Sequence, residues 1–208
     1  MAEFNQKALA QLLEGPTRRT SWIGTLFQSY LRPIPTNGSV IALAAGGCEE
    51  LLQLRPFVGE AAKIHAFDII QPRRFGPEIL SFSAAKFHQA NIKNVSRVLR
   101  LAGGTPDLII CRHPRIFETF KEASGKIEYN EWWLKTLSEY ARQIRDKGQM
   151  LITTFTEIEQ MLLVEEMRKQ GLSPSAESNY FAPANLCKVY QFSAETVPTR
   201  PDGFTVLI

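Results

Sequence analysis

Cysteine is scarce. The 208 residues hold three, Cys48, Cys111 and Cys187, far apart and odd in number. No Cys-x-x-Cys or Cys/His ligand spacing joins them, so no metal site is expected, and neither a zinc ribbon nor a disulfide scaffold fits. Long apolar runs are missing as well. The opening stretch MAEFNQKALAQLLEG is amphipathic, and it reads as neither a signal peptide nor a membrane span. Charge of one sign is not in excess. Lys and Arg number 24 against 21 Asp and Glu, a net +3, and there is no basic stripe, which argues against a nucleic-acid partner. Internal repeats and low-complexity tracts are absent too. What remains is a soluble globular chain, 44% hydrophobic and long enough for a full core. A reducing cytoplasm is its expected setting, with no membrane partner.

Against this background one stretch stands out. Ser39 to Leu52 reads SVIALAAGGCEELL. Five of its first six residues are apolar, and the apolar run stops at Gly46-Gly47. The acidic pair Glu49 and Glu50 follows, then an apolar helical pattern. That order is a buried strand, a tight glycine turn and a helix start. It gathers unpaired backbone N–H groups and the positive end of a helix at one point, which suits the polar or anionic end of a cofactor. Two adjacent glycines after a strand also make an ordinary turn, so the stretch takes its meaning from what surrounds it.

Upstream, residues 3–14 and a segment capped by Thr20 or Ser21 have helical spacing, ended by Gly15-Pro16 and by Pro33 and Pro35. They form a predicted N-terminal helical cap over 1–35, beside a domain spanning 36–208. Arg18 and Arg19 fall between these helices, in a solvated turn or at the mouth of a site. Downstream of strand one (39–44) the pattern predicts a helix over 48–58. KIHAFDI (63–69) is strand two and ends on Asp68. That carboxylate comes about twenty residues after the glycine turn, where parallel strand-helix-strand units set an acid beside a ribose. A helix over 77–85, strand three over 86–90 with Asn91 after it, a helix over 95–102 and strand four over 107–111 follow. Next come a helix over 130–147, strand five over 150–155 and a helix over 156–170. Residues 175–181 and 186–192 are joined too tightly for a parallel crossover, which predicts an antiparallel hairpin. The apolar FTVLI at 204–208 reads as an added edge strand. Five β-α alternations predict an α/β fold, a mostly parallel sheet with helices on both faces and a ligand site at the carboxyl ends of the strands.

With the strand, the glycine turn, Asp68 and Asn91 in this order, residues 36–193 resemble the class I S-adenosylmethionine-dependent methyltransferases. The resemblance implies a three-layer sandwich with a seven-stranded sheet of order 3-2-1-4-5-7-6, strand seven reversed in a C-terminal antiparallel hairpin. It implies S-adenosyl-L-methionine as cofactor. In that family a G-x-G-x-G turn cradles the methionine end, and VIALAAGGCEE takes its place here. Gly46 matches the central glycine, Ala44 and Cys48 replace the outer two, and Ala42 stands where an acid is usual. The implied contacts are thus Ala44, Ala45, Gly46, Gly47 and Cys48, and an alanine there strains the turn if its φ is positive. Asp68 matches the carboxylate that accepts from the ribose hydroxyls, and Ile69 the residue packed on adenine. Asn91, with Ile92 beside it, matches the residue that meets the adenine amino group. Cys111 and Arg112 match the segment under the cofactor's reactive end. A nicotinamide turn of G-x-G-x-x-G form would need glycine at position 49, where Glu49 stands and would face a pyrophosphate.

Methyl transfer from a sulfonium is an in-line displacement, so a protein chiefly aligns two reactants and, where needed, removes a proton. His113, just after strand four, is the candidate base; a loop histidine bonded to backbone is the plainer reading. His65 and His88 fall inside strands and read as packing residues. Glu118, Glu122 and Glu128 line a substrate mouth or form a solvated face. Cys48 would sit at a helix N-terminus, which lowers a thiol pKa and would make it reactive; a small buried cysteine filling space is the preferred reading. A small molecule is the expected acceptor, and oligomeric state is left open. The alternative is a non-catalytic binding or scaffold subunit of the same fold. The changed glycine turn favours that alternative; Asp68 and Asn91 oppose it.

Overall fold

A computed structural model describes residues 23–72, 76–112, 114, 116–121, 126–144, 148–154, 156–178, 188–192, 195–199 and 204–207. For 117–121, 126–129, 176–178 and the segments from 188 onward the description is of backbone only. The helix expected over 3–14, together with Arg18, Arg19, His113, Glu122 and Cys187, lies outside the described residues.

The first half of the chain runs α1 (residues 23–30), β1 (Ser39–Leu43), α2 (Leu51–Val58), β2 (Lys63–Asp68), α3 (Gly76–Phe82), β3 (Lys86–Gln89), α4 (Val95–Ala102) and β4 (Leu108–Arg112). The second half runs β5 (Phe117–Lys121), β6 (Lys126–Tyr129), α5 (Glu131–Arg142), β7 (Gln149–Thr154), α6 (Glu157–Lys169), β8 (Ser175–Ser178), β9 (Lys188–Phe192), β10 (Glu195–Thr199) and β11 (Phe204–Leu207). The main sheet has the order β3-β2-β1-β4-β7-β11-β8. Its first five members run parallel. The hairpin β5–β6, between β4 and α5, is absent from the sequence reading.

Side-chain alternation along the strands builds two cores. Val40, Ala42, Ile64, Ala66, Leu108 and Ile110 pack with α1, α2 and α3 on one face. Ile41, Leu43, Phe67, Ile109, Cys111 and Ile152 pack with α4, α5 and α6 on the other. A parallel sheet covered on both faces needs strands that are apolar on both sides, and VIAL and LIIC are. Helix ends follow local chemistry. Asn94 caps α4 by accepting from the Arg97 N–H at 3.0 Å, and Gly103 ends it at φ +89°. Thr156 and Glu159 form a reciprocal capping box on α6. Helix α2 starts at Leu51, not at 48, because Cys48 has a φ of +61° that no right-handed helix accepts. No helix among the described residues is long and apolar enough to cross a membrane.

The C-terminal strands correct the sequence reading. The hairpin expected between 175–181 and 186–192 is not formed by their described residues, 175–178 and 188–192. β8 pairs antiparallel with β11, and β9 pairs with β10 in a separate two-stranded sheet. β11 is not an edge strand either, since it lies between β7 and β8. The slot beside the fully buried β7 suits an apolar segment such as FTVL. In KVYQF a lysine and a glutamine would enter the sheet on opposite faces.

Two further features bear on stability. Arg55 of α2 is only 3% exposed, and its guanidinium donates to backbone carbonyls around the ends of α2 and α3. His65 and His88, on neighbouring strands, share a hydrogen bond between Nδ1 and Nε2 at 3.0 Å, and His88 stacks on Phe67. Burial, then His88, Lys86 and Lys63, pushes the His65 pKa from 6.5 down to about 4. Burial, then Lys86, lowers His88 too. The unfolded chain therefore binds more protons than the folded one below pH 6.5, so stability is full above 6.5 and is lost as pH falls toward 4. Thermal unfolding from pH 7.5 to 4.5 should show Tm dropping in that window. A His65→Gln/His88→Gln variant should show a shallower drop, and an equal drop in both proteins would assign the protons elsewhere.

Candidate functional site

The carboxyl ends of β1, β2, β3 and β4 meet at one edge, because their registers align Leu43 with Phe67 and Cys111, and Asp68 with Gln89. The turn after β1 sits at this edge. Ala44, Gly46 and Cys48 have φ of +52°, +50° and +61°. Every second residue is thus left-handed, in a conformation that costs a non-glycine residue about 1–2 kcal/mol. The turn is held from both sides. The Ala45 N–H donates to the Phe67 carbonyl at 3.1 Å, and the Cys48 N–H to the Ala45 carbonyl at 2.6 Å.

Replacing Ala44 with glycine should raise stability by about 0.5–1 kcal/mol, after the added freedom of glycine in the unfolded chain is subtracted. In thermal unfolding that is a gain of about 1–3 °C. A lower Tm for Ala44→Gly would mean that the alanine is not left-handed in solution.

Asp68 braces the same turn. Its Oδ2 accepts from the Gly46 N–H at 2.9 Å, and its Oδ1 from the Ile70 N–H at 3.1 Å. A carboxylate oxygen has two lone pairs, so each retains capacity for one more donor. Ile69 and Ile70 follow at 60% and 54% exposure, an apolar step at the mouth of the site. Gln89 ties this loop to β3, donating from Nε2 to the Ile69 carbonyl at 3.0 Å. Asn91 is exposed, and its Oδ1 accepts from the Lys93 N–H at 3.0 Å. Ile92 is buried, and its carbonyl accepts from the buried Tyr140 hydroxyl at 2.8 Å, which pins the loop after β3 to α5.

On the β4 side, Arg112 Nη1 meets Glu50 Oε2 at 3.3 Å, and Glu50 is 6% exposed. A cavity of about 270 Å³ opens here, lined by residues 44–47, Glu49, Glu50 and Arg112. The edge therefore joins the turn, Asp68, Ile69, Asn91 and Arg112. Cys111 is buried beneath it in the core.

The cysteines follow the preferred reading of small buried space-fillers. Cys48 is not activated by the helix that follows. Burial first, then the Glu50 and Asp68 carboxylates, pushes its pKa up to about 12. Burial, then Glu50, raises Cys111 as well. Both are free, buried thiols, which makes them space-fillers. Among the described residues, no group of three or more His, Cys, Asp and Glu could hold a metal. The sequence reading missed the role of Glu50, although its place between two buried residues, Cys48 and Leu51, sets it close under the turn. It also missed Gln89, which donates to the Ile69 carbonyl and accepts from the Gln71 side chain, and Tyr140, which donates to the Ile92 carbonyl.

No protein-family model matches the sequence, and no curated protein does. Solved structures do match. A SAM-dependent methyltransferase from Agrobacterium tumefaciens is similar over 90% of this chain and 59% of its own, at 14% identity and a TM-score of 0.54. Fibrillarin from Aeropyrum pernix, in complex with natively bound S-adenosyl-L-methionine, covers 90% of this chain and 73% of its own, at 11% identity and a TM-score of 0.54. Precorrin 8w decarboxylase from Methanobacterium thermoautotrophicum covers 89% and 87%, at 11% identity and a TM-score of 0.52. The chain has the fold of the class I S-adenosylmethionine-dependent methyltransferases.

Proposed function

We propose that the chain binds S-adenosylmethionine at the carboxyl ends of β1, β2 and β3 and transfers its methyl group to a small-molecule acceptor. The observation that carries this reading is the turn itself. Residues 44, 46 and 48 keep a left-handed backbone at the three positions the family gives to glycine, although two of them are not glycine. Strain of this kind persists where the surroundings over-determine it, and such places cluster at ligand sites. The sheet order supports the reading. Numbered among themselves in chain order, the strands β3-β2-β1-β4-β7-β11-β8 read 3-2-1-4-5-7-6, with β11 antiparallel to both neighbours.

The residues present fit the cofactor. Asp68 retains lone pairs for ribose hydroxyls, exposed Ile69 offers an apolar face to adenine, and Asn91 offers Oδ1 to the adenine amino group. The cavity beside the turn takes the amino-acid end. When bound, the cofactor supplies an electrophilic methyl group on a sulfonium. The chain holds that group in place, and His113, next in sequence after β4, is the proposed acceptor of a proton from the nucleophile. The small-molecule class rests on the near balance of 24 basic and 21 acidic residues, which gives no electrostatic footprint for a polyanion.

One observation favours a non-catalytic binding or scaffold subunit instead. Ala42, where the family has an acid, is an uncharged residue buried in the core. Calorimetric titration with S-adenosylmethionine, and separately with S-adenosylhomocysteine, decides between the two. Micromolar binding supports the cofactor reading. No heat and no thermal shift at millimolar ligand would leave a sheet kept for architecture.

A further inference from the structure

We propose that the outer face of α6 is a self-association surface, on which a second copy of this chain lays its own α6 antiparallel about a two-fold axis. The surface lies apart from the cofactor edge, since the cavity on α6 and the cavity beside the turn share no lining residue. The inference therefore stands independently of the cofactor reading.

Three features of one helix meet here. The first is a knob. Met161, at 63% exposure, is the most exposed large apolar side chain among the described residues, and Ile158 lies one turn before it at 46%. The second is a hole. A cavity of about 540 Å³ adjoins Met161, lined by the buried Val164 and by Glu165, Arg168 and Lys169. The third is opposite charge at the two ends. Glu157 opens the helix, and Arg168 and Lys169 close it. Lys169 is taken by Glu165 at 2.8 Å, whereas Glu157 and Arg168 have no ion-pair partner among the described residues. The helix's own dipole accounts for those charges, but not for an exposed methionine beside a hole floored by valine. A two-fold axis accounts for both. Placed between Leu162 and Leu163, it sets Met161 opposite the second copy's Val164, and Glu157 opposite the second copy's Arg168. Residues 157, 161, 164 and 168 fall on one stripe of a helix with about 3.6 residues per turn. Both contacts therefore form at once, and the symmetry repeats each of them. Helical side chains lean toward the N-terminus, which carries Met161 toward the middle of the facing cavity. The 13 residues of α6 make a helix about 20 Å long. That is a small contact beside the roughly 1,200 Å² of a standard interface, so the dimer is weak.

Sedimentation velocity of the full chain across a range of concentrations tests this. Wild-type protein should pass from monomer to dimer with a dissociation constant in the micromolar range. Met161→Glu puts a charge into the facing cavity and should leave only monomer. Its Tm should stay within about 2 °C of the wild type, because the side chain is exposed in the monomer. Arg168→Glu sets two acids against each other twice per dimer and should weaken association about tenfold. Glu157→Lys/Arg168→Glu exchanges the signs across the two-fold and should restore it, which only a direct pairing of these two positions predicts. A wild-type chain that stays monomeric would overturn the proposal and leave the face to a different partner. So would a dimer that Met161→Glu leaves intact, or a double variant that associates no more tightly than Arg168→Glu alone.

Discussion

Replacing Arg55 with alanine should lower the unfolding free energy by roughly 3–5 kcal/mol, the scale on which buried charged networks fail when one member is removed. Nε donates to the Ser83 carbonyl at 2.6 Å. Nη1 donates to those of Gly59 at 2.7 Å, Glu60 at 3.1 Å and Ala62 at 3.0 Å. Nη2 reaches Ala84 at 3.4 Å. All five acceptors are backbone oxygens at or just beyond the C-terminal ends of α2 and α3. Helix C-termini carry partial negative charge, which is how a guanidinium can be buried there against carbonyls alone. The fork joins the turn after α2 to the end of α3, and so fixes the layer that lies behind the glycine turn. Alanine would leave several carbonyls short of a donor and open a cavity.

Two further variants separate these effects. Arg55→Met keeps the apolar stem and removes the donors, so it should be nearly as damaging as alanine. Arg55→Lys should recover part of the loss, because one ammonium has three donors where the guanidinium has five. In urea unfolding, a cost below about 1 kcal/mol for Arg55→Met would mean that water replaces the guanidinium at little expense. In thermal unfolding the alanine variant should fall by about 10 °C.

Arg55 also shows what a sequence hides. LLQLRPFV reads as an amphipathic helix with a charged residue for its wet face. Nothing in it says that the charge turns inward, because the partners are carbonyls, which every residue has. Glu50 is hidden in the same way. Glu49-Glu50 reads as the acidic start of a helix, but the left-handed Cys48 delays the helix and tucks the second acid under the turn. The parallel half of the sheet is legible because β1, β4 and β7 hold short apolar runs entered from a glycine or proline signal, and β2 and β3 fall between helical patterns. Asp68 and Asn91 are legible because each ends a helix-strand step, Asp68 one such step past the turn and Asn91 just beyond the second. The final strands are not legible. Alternation identifies a strand and its faces, but pairing is decided by distant competition, and here FTVL takes the slot that KVYQF would fill poorly. At Cys48 burial outweighs the helix terminus, in line with the preferred space-filling reading. A helix terminus lowers a thiol pKa modestly, whereas loss of water around a buried sulfur, with two carboxylates nearby, raises it by more.

Asp68→Ala is expected to weaken binding of S-adenosylhomocysteine by about 1–3 kcal/mol, or roughly 5- to 150-fold. The expectation has two sources, and they predict different things. As a ligand contact, Asp68 offers its remaining lone pairs to hydroxyls. As a brace, it takes the Gly46 N–H on Oδ2 and the Ile70 N–H on Oδ1, and so holds a strained turn in the shape a ligand needs. Asp68→Asn distinguishes them. An amide keeps one acceptor oxygen and places an NH₂ where the other carboxylate oxygen was, so Gly46 or Ile70 loses its partner while the side-chain volume stays the same. If bracing dominates, Asn and Ala should both lose stability, by about 1 kcal/mol in urea unfolding, and affinity should fall in step with it. If direct contact dominates, both variants should lose affinity out of proportion to stability. Adding Ala44→Gly then provides the decisive comparison. It relieves strain in the turn without touching Asp68, so it should restore affinity to a brace-deficient variant and leave a contact-deficient one as weak as before. Unchanged affinity in Asp68→Ala would remove this carboxylate from the site altogether.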